Sequence, residues 1–177
     1  MFIFGVIFAL VAGILFGLIG PTTKIAYNSG ASVALTIFLR YAVASIIIIP
    51  FIPYQKNLLE IFKKNLKYFL SISAGSILLT LGLLTSVIFI EVSLTILIFC
   101  LYPIYVLLFS IIVDKEKISL TVKILFFVTF LGIVLVIGPS FKVINIVGIL
   151  LAFLASLGST SMIIVNQKMS IKGISPI

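Results

Sequence analysis

Apolar residues fall into six long blocks along the chain, at 2–24, 32–53, 68–90, 92–113, 119–138 and 145–167, with short polar segments between them. Each block has about the 20 residues that a membrane-spanning helix requires. None shows the period-two alternation of a barrel strand. In lipid a helix satisfies its own backbone hydrogen bonds, so each block is expected to be helical. The expected fold class is therefore all-α: a polytopic membrane helix bundle with six transmembrane helices. The polar links are YQKNLLEIFKKNLKY at 54–68, DKEKIS at 114–119 and PSFKVIN at 139–145, while the third and fourth blocks meet almost directly at Glu91.

Composition agrees with the pattern. Hydrophobic residues make up 63% of the chain and charged residues 9%, against about 25% charged in a soluble domain. The lipid bilayer is thus the first partner. The net charge of +8 is carried by lysines in the links and not by a compact basic patch with interleaved aromatics, which excludes nucleic acid. With the N-terminus in the cytoplasm, Lys56, Lys63, Lys64, Lys67, Lys115, Lys117, Lys123, Lys168 and Lys172 fall on the inner side, and only Lys24 and Lys142 on the outer. Positive charge favours the cytoplasmic side, so a cell membrane with the N-terminus inside is expected. The isoleucine- and lysine-rich usage points to a prokaryotic cell. The first block lacks a basic leader and is too long for a signal peptide.

Chemistry is scarce. There is no histidine, there are four acids, and Cys100 is the only cysteine. These counts remove zinc sites, histidine triads and intrachain disulfides, so no catalytic residue, metal or cofactor is expected. Arg40 stands about eight residues into the second block, or roughly 12 Å deep at 1.5 Å per residue. A charge there costs about 2.5–3.5 kcal/mol and calls for a partner or a wet cavity. Arg40 either attracts an anionic group or holds a structural contact, and in both readings it should face the bundle interior and meet backbone carbonyls, such as those by the Pro103 kink, or a wet cavity. Tyr102 and Pro103 sit mid-block, where proline kinks a helix and frees a carbonyl near Phe99, either to face a substrate cavity or as a packing kink alone. Thr80 and Gly82 lie at similar depth and line the same space or a helix contact. Glu91 is a coupling carboxylate, a partner of Arg40 or a solvated turn residue. The dipeptide Gly20-Pro21 marks a bend near the outer end of the first block.

A faint repeat is also present. GVIFALVAGILFG (5–17) aligns with GILLAFLASLGST (148–160) at an offset of 143, pairing Gly5 with Gly148, Ala9 with Ala152 and Ala12 with Ala155. The second copy begins after five blocks, an odd number, so it runs opposite to the first. That is the arrangement of an inverted-repeat transporter.

Four stretches carry a wider likeness: GVIFALVAGILFGLIGPTTKIA (5–26), LTIFLRYAVASI (35–46), EVSLTILIFCLYPIYVLLFSIIVDKEKIS (91–119) and VKILFFVTFLGIVLVIG (122–138). In their order and spacing they resemble the drug/metabolite transporter superfamily, specifically its EamA-type permeases. The resemblance implies one five-helix repeat over 3–138 and the first helix of a second over 145–170. It also implies a substrate cavity between repeats, with an aromatic position near Phe16. Ten helices are usual in that family, so this chain is expected to be partial. Two functions stay open. One is a secondary carrier of a small metabolite or drug-like molecule, working by alternating access. The other is a non-transporting fragment, or a half that needs a homodimer or a missing C-terminal half. Substrate, direction and coupling ion are not legible.

Overall fold

The computed structural model describes residues 2–51, 62–113, 115, 119–137 and 145–171. Among these residues the chain forms helices and no strands. In chain order they are α1 (Phe2–Gly17), α2 (Ile19–Asn28), α3 (Val33–Ile48), α4 (Leu66–Phe89), α5 (Val92–Phe99), α6 (Tyr102–Ile112), α7 (Leu120–Ile137) and α8 (Ile146–Ile171). Most of the 54–68 connector, Glu116 and the 139–144 link lie outside the described residues.

Each apolar block holds one helix or two in tandem. Four stretches are long and apolar enough to cross a membrane: Phe4–Asn28, Leu66–Phe89, Val92–Ile112 and Ile146–Ser170. The helices of the second and fifth blocks, Val33–Ile48 and Leu120–Leu135, are shorter. At 1.5 Å per residue the 16 residues of α3 reach about 24 Å, less than a hydrocarbon core of about 30 Å.

Proline explains both interruptions. α1 stops at Gly17 and α5 stops at Phe99, each four residues before a proline, Pro21 and Pro103. A proline has no N–H to give to the carbonyl four residues back, and its ring crowds that carbonyl. The first break therefore falls at Leu18, before the Gly20-Pro21 pair, and α2 runs on through Pro21 to Asn28. After α2 the chain turns on Gly30 at φ 88°, with Ala31 N–H bonded to Ala26 O and Gly30 N–H to Tyr27 O, both at 3.0 Å. This is a Schellman turn, in which glycine takes the left-handed position without a Cβ penalty. Ser32 then caps α3, its Oγ accepting from Leu35 N at 3.2 Å.

The packed centre is the α4–α8 pair. Small residues line both helices where they cross, and the backbones come close. A Cβ built on Gly82 would lie 2.5 Å from Leu151 O and 2.9 Å from Ala155 N. One built on Gly158 would lie 2.6 Å from Gly75 O. Without a hydrophobic force between helices in lipid, close backbone approach of this kind supplies the packing. A buried hydroxyl cluster adds direction. Ser86 Oγ donates to Gly148 O at 2.8 Å, so the 3.0 Å contact with Thr95 Oγ1 is a bond donated by Thr95. α4, α5 and α8 are thereby tied at one point. From α2, Lys24 Nζ donates to Val87 O at 3.0 Å and satisfies a carbonyl in the last turn of α4. α1 is different: every described side chain from Phe4 to Leu18 is exposed, an apolar surface that lipid or another helix would cover.

Candidate functional site

A cavity of about 330 Å³ lies where α1 and α2, α4, the α5–α6 break and α8 converge. Its walls are mainly aliphatic and aromatic, among them Leu79, Leu83, Leu84, Val87 and Ile96. Phe99 sits centrally, with its ring centroid 6.2 Å from that of Phe16 and 5.3 Å from that of Tyr102. Both proline breaks open onto this space: Phe16, Ile19 and Gly20 flank the first, and Phe99, Cys100 and Tyr102 flank the second. The backbone at Tyr102 is held to α8, because Thr160 Oγ1 lies 3.3 Å from Tyr102 O and 2.9 Å from Ser156 O.

Polar groups in the wall are hydroxyls and a thiol. Thr95 is committed to Ser86. Ser159 is 9% exposed, lines the cavity, and has no hydrogen-bond partner among the described residues. Among the described residues the sealed side-chain oxygens without a partner are Tyr27 Oη and Ser156 Oγ, whereas Ser159 Oγ stays accessible and is free to bond a molecule that enters the cavity.

The residues singled out from sequence do not share one space. Phe16 and Tyr102 line this cavity. Pro103 faces a second cavity of about 340 Å³ between the α5–α6 break and α7, lined also by Val122, Phe126 and Thr129. That space is apolar, and its Thr129 hydroxyl is already spent on Leu125 O at 2.7 Å. Cys100 is common to both cavities. Thr80 is buried, with its Oγ1 2.7 Å from Tyr41 Oη, so it makes a helix contact and not a cavity wall.

Arg40 stands apart from the Pro103 kink. It is exposed, and it borders a separate hollow with Thr22, Thr23 and Thr36. Among the described residues it has neither a carbonyl near Pro103 nor Glu91 as a partner. The reason is helical geometry. The neighbouring Tyr41 is the residue that turns toward α4, bonding Thr80 and lying 3.1 Å from Ser76 Oγ. One residue earlier on a helix of 3.6 residues per turn points about 100° away. Ile19 and Leu84 stand between the Arg40 hollow and the central cavity, bordering both. Glu91 takes the N-cap position of α5 but makes no capping bond with its side chain.

Ser159 was missed in the sequence reading, although a signal for it exists. Adding the offset of 143 to Phe16 gives 159, so the alignment of 5–17 with 148–160 sets Phe16 against Ser159. Both line the same cavity. Apolar helices align easily, which is why the offset says little until the packing places both residues on one wall.

Comparison with known proteins adds one match. The sequence pattern of the EamA-like transporter family fits residues 3–138. No curated protein and no solved structure matches the chain.

Proposed function

The chain belongs to the EamA-like transporter family and is an integral membrane protein, and on that premise we propose that it carries a small molecule by alternating access through the 330 Å³ cavity. One observation supports this most. Phe16 and Ser159, related by the internal repeat, border the same space, as expected of a site lying between inverted repeats. The five-helix repeat is 3–138 and the second repeat opens at 145–170. The α4–α8 pair, locked by backbone contact, is the fixed element. The half-helices α2 and α5 are the moving ones, because the proline breaks beside the cavity leave them without continuous helical hydrogen bonding to α1 and α6. The lysine bias of the links supports a cytoplasmic N-terminus, and the isoleucine- and lysine-rich usage supports a prokaryotic cell membrane.

The test is flux. Purified protein in proteoliposomes should give saturable uptake for at least one member of a broad panel of metabolites and drug-like solutes. Pro103→Ala, which returns an N–H to Phe99 O, should slow that uptake about tenfold, the effect of roughly 1.4 kcal/mol on a rate-limiting opening step. Uptake absent across the panel from folded protein, or unchanged in Pro103→Ala, would count against this mechanism.

A second reading rests on α1. On α8 the repeat positions Ala152 and Ala155 are fully buried, and Gly148 packs against Phe89 and Ile90. Their mates on α1 are exposed, and a Cβ on Gly5, Gly13 or Gly17 would meet nothing within 4 Å. This asymmetry supports a half-transporter whose α1 is covered by a glycine-bearing helix, of the α4 kind, on another polypeptide. Gly13→Ile should then break a stable assembly into single chains in mild detergent with helix content unchanged. A wild-type chain that transports as a monomer would remove this reading.

A further inference from the structure

The identity of the cargo follows from what the cavity wall holds and what it lacks. None of the residues lining it carries a charge. Arg40 borders a different hollow, which shares Ile19 and Leu84 with this one. Lys24 does not line the cavity, and its Nζ is engaged 3.0 Å from the carbonyl of the wall residue Val87. Moving an ion from water into such a space is strongly unfavourable without a paired countercharge. The rings of Phe16, Phe99 and Tyr102 instead offer faces and edges to a flat apolar body. Against them stands Ser159, nine-tenths buried and able to donate and to accept one bond. The volume of about 330 Å³ is at the small end for ligand pockets.

We propose that the cavity takes an uncharged, planar, largely apolar molecule, packed against the contiguous Phe16–Phe99–Tyr102 ring cluster and read by one hydrogen bond to Ser159. This rests on the cavity being the transport site, and it reassigns Arg40 away from cargo recognition. Discrimination comes from two costs. A charged analogue pays desolvation with no countercharge, and an analogue lacking the polar group leaves Ser159 unpaired.

The test uses indole as probe, with radiolabelled indole equilibrated against the purified chain in nonionic micelles and protein-free micelles correcting for partition. Saturable binding is expected. Indole-3-acetate and tryptamine, which carry the same ring with a negative or a positive charge, should compete at least about 30-fold more weakly. 1-Methylindole, without the N–H, should bind about tenfold more weakly than indole. Ser159→Ala should lower indole affinity by about the same factor and leave 1-methylindole unchanged. Arg40→Ala should alter neither. No saturable indole binding, equal or tighter binding of a charged analogue, or weakened binding in Arg40→Ala would overturn the proposal. If Ser159→Ala fails to fold, the analogue series on the wild-type chain still decides. Flux in vesicles separates this from the transport reading. Indole that binds but never crosses would reject transport alone. A charged solute that crosses, with no indole binding, would reject the cargo class alone.

Discussion

Gly82→Leu is expected to leave little folded protein. A Cβ at this position meets backbone, Leu151 O at 2.5 Å and Ala155 N at 2.9 Å, with the Ala155 methyl at 3.1 Å. A flexible side chain could rotate away, but a helix backbone can only retreat, and retreat separates α4 from α8 along their whole crossing. Overpacking usually costs about 1–3 kcal/mol. Here the leucine branch adds to a clash that its own Cβ already makes, so a loss above about 3 kcal/mol is expected, a large share of a typical stability of about 5–15 kcal/mol. Gly82→Ala should fall between the two. Gly132 supplies the control, because a Cβ there meets nothing within 4 Å. Gly132→Leu should shift stability by less than about 0.5 kcal/mol. Thermal unfolding by circular dichroism and the monodisperse fraction in detergent would read these effects. Gly82→Leu behaving like wild type would mean that α4 and α8 do not meet through Gly82.

Ser86→Ala should give the second large loss. Ser86 is fully buried and occupies the only point where α4, α5 and α8 are joined by side-chain hydrogen bonds among the described residues. Removing its hydroxyl takes away the bond to Gly148 O and leaves the Thr95 hydroxyl without an acceptor. An orphaned buried group costs about 1–3 kcal/mol. Interhelical bonds between membrane helices average less, about 0.6 kcal/mol with a maximum near 1.7. Two bonds lost together should therefore cost about 2 kcal/mol. The sign of the coupling is the stronger check. With Thr95→Val already in place, Ser86→Ala should cost about 1 kcal/mol less, since no Thr95 hydroxyl remains to be stranded. Strict additivity would show that Thr95 does not bond Ser86.

Much of the architecture was legible before any coordinates. Helical blocks and their polar links follow from the demand that lipid makes on every backbone N–H and C=O, and that demand is local. The break beside Pro103 is local too, since proline lacks its N–H wherever it stands. The pairing of α4 with α8 was not legible. Gly75, Gly82, Gly148 and Gly158 are separated by up to 83 positions (158 − 75), and other helical glycines, including Gly5, Gly13 and Gly17, have no close neighbour. Arg40 shows the limit most clearly. Its depth could be counted along the helix, and its face could not.

From the sequence alone come the membrane class, the helical blocks, the proline breaks, the repeat and the family likeness. Each rests on composition or on near neighbours along the chain. Tertiary structure alone decided that Phe16 and Ser159 share a wall, that Tyr41 and not Arg40 turns toward α4, and that the cavity holds rings and hydroxyls without a charge. Those outcomes depend on rotation and crossing of whole helices. In a chain this apolar, every face is nearly equally hydrophobic, so no amphipathic stripe announces which side will be turned inward.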